Sequence, residues 1–214
     1  MVYLFGCDHN CAQTYSAESA LDDPQNETQR QFRELLVKAI EEYDPALIAE
    51  ERHPDVLRLL ALRSVAFEAA TDKRIPHRFC EPSSMEKNDL GIDGGPPTQD
   101  LEIDPDIDPF LREQPLNIQT GSTHDKWRRY IGHHCRIREE FWIDQLGEEL
   151  NKRVFFVIGA HHRETLRRKL QSRGFEVRIV KDAKRVGICK SSMMPKVAFD
   201  AYKDIRRNGF SPVS

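Results

Sequence analysis

The chain has 214 residues, 39% of them hydrophobic and 31% charged, which suits a single domain with a real core. Its formal net charge of -3 excludes the global basic field that binds nucleic-acid phosphates. No stretch reaches the roughly 18 apolar residues that span a bilayer, and no charged lead precedes the apolar run at Val2, so a cytoplasmic protein is expected.

In chain order, VYLF (2–5) reads as a short buried strand, followed by GCDH (6–9) and a polar stretch. From Thr28 the positions Phe32, Leu35, Leu36, Ala39, Ile40 and Tyr43 recur at helical spacing until Asp44-Pro45. ALIA (46–49) is a strand-length apolar run ending in Glu50-Glu51. Pro54 opens a second helix carrying Val56, Leu57, Leu60, Val65 and Ala69. HRFC (77–80) is a third strand, stopped by Glu81-Pro82. Strands alternating with helices predict an α/β fold, with a central, mainly parallel sheet flanked by helices.

From 91 to 123 the pattern dissolves into a long excursion rich in Pro, Gly and acid. Helical spacing returns over 125–150, where His134, Arg138 and Trp142 share one face and Glu139 and Glu140 are assigned to its flank. VFFVI (154–158) predicts a fourth strand, followed by GAHH (159–162) and by a helix with Leu166 and Leu170 that Gly174 closes as a left-handed cap. FEVRIV (175–180) is a last strand, and a short helix around 197–205 is expected in the C-terminal tail at 182–214.

Ligands of open parallel sheets sit beyond the carboxyl ends of the strands. All four apolar runs hand over there to a carboxylate or an imidazole: Asp8 and His9, Glu50 and Glu51, Glu81, then His161 and His162. Two imidazoles and a carboxylate suit a divalent metal ion of the Zn, Mn or Fe type, so His9, Glu50 and His162 are the candidate metal ligands. Such an ion would acidify a bound water, and a further carboxylate would serve as general base. Glu51, Glu81 and Arg138 are the candidate catalytic residues. Asp8, His134, Arg138 and His161 are candidates for holding the substrate, since a buried guanidinium demands an anionic partner.

Each feature has a plainer explanation. Glycine after a strand is ordinary turn chemistry, one strand-end histidine is commonly structural, and Arg138 could lie over Trp142 on its way to solvent. The recurrence of G-x-x-H after two apolar strands carries the argument. The five cysteines, Cys7, Cys11, Cys80, Cys135 and Cys189, suit reduced thiols better than a disulfide framework. A lone C-x3-C at Cys7 and Cys11 is a weak zinc signal.

Gly6 to His9, Glu50, and above all the run from Ile137 to Val180 resemble the TraB/TIKI group and, more distantly, the ChaN and erythromycin-esterase-like proteins. The resemblance is clearest over about 45 C-terminal residues and the two short N-terminal motifs. It implies an EreA/ChaN-like α/β fold with a site at the strand ends. It matches His9 and His162 to the paired histidines, Glu50 to the acid after strand two, Arg138 to the helix arginine and Glu81 to an acid after strand three. The chain is shorter than that group expects and carries Cys7-Asp8 inside the first motif, so a shared substrate does not follow.

The expected function is a metal-dependent hydrolase of an amide, ester or phosphoester bond in a small-molecule or peptide substrate. A ligand- or partner-binding module on the same fold is the alternative. A nucleic-acid-processing effector, using the basic runs at 128–138 and 163–173, is the weaker one.

Overall fold

The computed structural model describes residues 1–7, 13–92 and 122–180, and for 122–133 and 161 the backbone alone. Asp8, His9, most of the 91–123 excursion and the whole C-terminal tail lie outside the described residues.

The elements are β1 (Val2–Cys7), β2 (Thr14–Ser16), α1 (Glu27–Tyr43), β3 (Leu47–Glu50), α2 (Pro54–Leu59), β4 (Leu62–Ser64), α3 (Val65–Asp72), β5 (His77–Phe79), α4 (Ser84–Asp89), α5 (Ser122–Leu146), β6 (Val154–Gly159), α6 (Arg163–Ser172) and β7 (Val177–Val180). Five strands form one sheet in the order β5-β3-β6-β1-β7, and every neighbouring pair is parallel. The expected α/β fold with a parallel sheet is therefore what the chain forms. β1 and β6 are buried at all six positions, because strands covered on both faces read as continuous apolar runs rather than alternating ones.

Alternation along the strands sorts the core into two layers. Tyr3, Phe5, Ile48, Phe155 and Val157 face α1 and α3, packing on Phe32, Leu36, Ile40, Val65 and Ala69. Val2, Leu4, Ala49, Phe156 and Ile158 face α5 and α6, packing on Trp142, Leu146, Leu166 and Leu170. The chain runs outward from β1 to β3 to β5 under α1 and α3, then returns through α5 to β6 and through α6 to β7. A single crossover hand requires the outward and return helices to lie on opposite faces. Because β6 inserts between β3 and β1, the carboxyl ends of β3, β5 and β6 lie together beneath the C-terminal part of α5.

Local chemistry sets the ends of these elements. α1 stops where Asp44 takes a left-handed conformation (φ 44) with its N–H on the Ile40 carbonyl at 2.9 Å; Pro45 then bars continuation. Gly174 takes the left-handed position after α6, as expected (φ 87).

Two stretches differ from expectation. The helix expected to run from Pro54 past Ala69 is interrupted: Ala61 turns left-handed (φ 48), β4 pairs antiparallel with β2, and a new helix begins at Val65. Ser64 starts it, its hydroxyl accepting from the Phe67 N–H at 3.0 Å, so a capping serine lay inside an apolar pattern that looked continuous. α4 lies outside the expected elements as well, although Ser83 and Glu86 form a reciprocal capping box at its start. Among the described residues no helix is long and apolar enough to cross a membrane.

Candidate active site

Glu51 follows β3 directly and is 2% exposed. Its backbone N–H donates to Val157 O at 3.0 Å, and its Oε2 accepts from Gly159 N–H at 2.7 Å, so it ties the end of β3 to that of β6. Glu81 follows β5, its backbone N–H on the Arg52 carbonyl at 3.2 Å. α5 crosses this edge with Cys135, Arg138, Glu139 and Trp142 at helical spacings of three, four and seven, one face of the helix. His162 stands just before α6 and Thr165 in its first turn.

These side chains form a chain of alternating charge. Lys169 Nζ lies 3.1 Å from Glu139 Oε2. Glu139 Oε1 accepts from Thr165 Oγ1 at 2.6 Å and lies 2.8 Å from His162 Nδ1; since an ionised carboxylate only accepts, Nδ1 carries a proton. His162 Nε2 is 3.4 Å from Glu51 Oε1, 3.5 Å from Arg138 Nη1 and 3.9 Å from Cys135 Sγ. Arg138 Nη2 donates to Glu51 Oε1 and, at 2.8 Å, to Glu81 Oε2, which also accepts from Arg138 Nε at 3.1 Å. Lys87 Nζ closes the chain 2.9 Å from Glu81 Oε1. Trp142 supports its centre: Nε1 donates to Glu81 Oε2 at 3.2 Å, the guanidinium lies over the indole at 5.2 Å, and the ring meets His162 edge-on at 4.7 Å.

Glu139 and His162 are wholly buried, and buried charges persist only when paired. Burial opposes protonation of His162. The Cys135 sulfur, Glu51 and Glu139 outweigh it, and the imidazole pKa stands well above its ordinary value. Burial likewise disfavours charge on Arg138, yet Glu51 and Glu81 raise its pKa further. Glu51, Glu81 and Arg138 open onto a cleft of about 190 Å³, whose remaining lining includes Arg52, His53, Val56 and Lys87.

Of the residues singled out in the sequence, Glu51, Glu81, Arg138 and His162 converge here. Glu50 does not. Consecutive strand residues point to opposite faces, and Glu50 is buried on the α1/α3 side, where its Oε2 accepts from Ser64 Oγ at 2.5 Å and lies 3.3 Å from His77 Nε2. The expected pairing of Glu50 with His162 around one ion is thus corrected by the pleat. His134 is half-buried on α5. Asp8, His9 and the side chain of His161 lie outside the described residues.

Glu139, placed at the flank by sequence, is instead central; with Cys135 and Thr165 it completes the cluster. The signal available was the spacing of Cys135 and Glu139 around Arg138 on one helix face. The two glycines do not serve a sharp turn either. Gly159 has φ -59, and Gly6 lies within β1, where an added Cβ would stand close to Ala160 Cα, at 3.2 Å.

Among the described residues no group of three or more His, Cys, Asp or Glu side chains is arranged to hold a metal ion. The described donors do not fit one: the guanidinium of Arg138 faces His162 Nε2 and bonds Glu51, the place a cation would take.

Fold and site together define a five-stranded parallel α/β protein with a buried carboxylate–imidazole–guanidinium chain at its strand ends. No family model, no curated protein and no solved structure matches the chain.

Proposed function

We propose that the chain is a hydrolase of an ester, amide or phosphoester bond, with the strand-end cluster as its active site and a small molecule or peptide as substrate. The observation that carries this reading is His162, fixed at Nδ1 by Glu139 and presenting Nε2 to Cys135, Arg138 and Glu51. A carboxylate that orients an imidazole and stabilises its charged form is a recurrent device of hydrolytic sites. The resemblance to the TraB/TIKI and erythromycin-esterase-like proteins belongs to the same proposal and points the same way.

Each residue then has a part. Glu139 and Thr165 hold the ring in one tautomer and orientation. His162 moves the proton between nucleophile and leaving group. Arg138, braced by Glu51 and Glu81, meets negative charge that develops on the substrate oxygen as the bond breaks. Arg52 and Lys87 line the same cleft, Lys87 paired with Glu81 at 2.9 Å. No step of this proposal depends on a divalent ion, which the described donors do not fit.

The test is a panel of p-nitrophenyl acetate, p-nitrophenyl phosphate and an aminoacyl p-nitroanilide, offered to the full chain purified without chelator, alongside its metal content. Turnover of any member that falls at least about 100-fold in His162→Gln supports the reading. Turnover that His162→Gln leaves unchanged overturns it. Ligand binding in the cleft without turnover would make the protein a binding module.

A further inference from the structure

The hydrolase reading leaves the nucleophile unassigned, and burial narrows the choice. His162 is 0% exposed, so in the resting protein the group that gives it a proton is one packed against it. Among the described side chains, three polar groups meet its Nε2: Glu51 Oε1 at 3.4 Å, Arg138 Nη1 at 3.5 Å and Cys135 Sγ at 3.9 Å. An ionised carboxylate has no proton to give, and a guanidinium does not release one. The thiol has a transferable proton and is a nucleophile once it is lost. Cys135 keeps 6% of its surface in contact with solvent.

We propose that Cys135 is the nucleophile of a Cys135–His162–Glu139 triad that cleaves ester and amide bonds through a thioester. The proposal rests on the hydrolase reading and deepens it. The Cys135 proton passes to His162 Nε2, and Sγ attacks the acyl carbon. The C–O or C–N bond then breaks, and the leaving group departs with the proton from His162. A water entering in its place gives a proton to His162 and attacks the thioester; the C–S bond breaks, the thiolate recovers a proton, and a carboxylic acid is released. No oxidant or further reactant is needed.

Two observations agree with this assignment. Glu139 Oε1 lies 2.8 Å from His162 Nδ1 and leaves Nε2 facing the Cys135 sulfur at 3.9 Å; burial opposes charge on the ring, but the Cys135 sulfur, Glu51 and Glu139 raise its pKa, the direction that favours proton uptake from a thiol. The other described thiols are packing groups. Burial raises the pKa of Cys7, whose Sγ donates to Ile158 O at 3.3 Å, and pushes Cys80 up to about 12.

The test is alkylation of the full chain by iodoacetamide at about pH 6, followed by peptide-resolved mass spectrometry, with p-nitrophenyl acetate as the acyl donor. Cys135 is expected to alkylate at least about tenfold faster than Cys80, and at least about tenfold faster than Cys135 in His162→Gln. An acetyl adduct is expected on Cys135 in the unaltered chain, and turnover is expected to vanish in Cys135→Ser. Glu139→Gln provides a second variant if His162→Gln does not fold, and should slow alkylation in the same direction. Cys135 reacting no faster than Cys80, or equally fast without His162, overturns the assignment. Turnover that survives Cys135→Ser overturns the nucleophile and leaves the hydrolase reading intact. His162-dependent alkylation with no turnover of any ester or amide would show a reactive thiol that does not hydrolyse, and would overturn both the hydrolase reading and the nucleophile.

Discussion

His162 sits between two carboxylates, and that position makes a stability prediction with a definite sign. Its folded pKa is raised above the ordinary 6.5, so the protonated ring contributes stability that is fully present below the unfolded pKa. That contribution is lost as pH rises through the folded value. Glu139, Glu51, Cys135 and Arg138 are the described charged or titratable groups that face it, with Lys169 behind Glu139. Urea unfolding from about pH 6 to pH 10 should show stability falling over the upper part of the range, with a smaller fall in His162→Gln. Arg138 answers to the same electrostatics. Removing it leaves Glu51 and Glu81, with side chains 1% and 9% exposed, facing each other without their shared cation. Arg138→Ala should cost about 3 kcal/mol in urea unfolding; a loss below about 0.5 kcal/mol would mean that the network relaxes into solvent.

At the scale of elements, the site depends on how closely two loops approach. Gly6 in β1 backs onto Ala160, and a Cβ added there would also meet Arg163 Cδ at 3.4 Å. Gly6→Ala should push the turn that carries His162 and cost about 1–3 kcal/mol. Thermal unfolding and turnover should fall together; retained turnover with lowered stability would show that the turn shifts without moving the imidazole. This is also where sequence legibility divides. The strand runs and α1, whose apolar periodicity is strong, stood out because burial on two faces or one stripe leaves a direct mark on residue type. The break between α2 and α3 did not, because Ser64 caps inside an apolar stretch. Nor did the role of Glu139, since a helical spacing names a face but not what packs against it.

On the scale of the whole molecule, strand order decides which residues meet. Sequence placed Glu50, Glu51, Glu81 and His162 at the strand ends, and local pattern sufficed for that. It could not show that β6 inserts between β3 and β1, nor which of two adjacent glutamates faces α5, because both depend on long-range pairing and register. The two sheet faces should therefore respond differently to neighbouring substitutions. Glu50→Gln, altering a carboxylate held by Ser64 and His77, should change stability and leave turnover near that of the unaltered chain. Glu51→Gln should lower turnover at least about tenfold, and equal effects of the two would refute the separation of the faces.

The central claim is that His162, oriented by Glu139, performs hydrolysis at these strand ends. The most direct measurement is kcat/KM for p-nitrophenyl acetate in the full chain and in folded His162→Gln. The account predicts a loss of at least about 100-fold; equal values in the two proteins would contradict it.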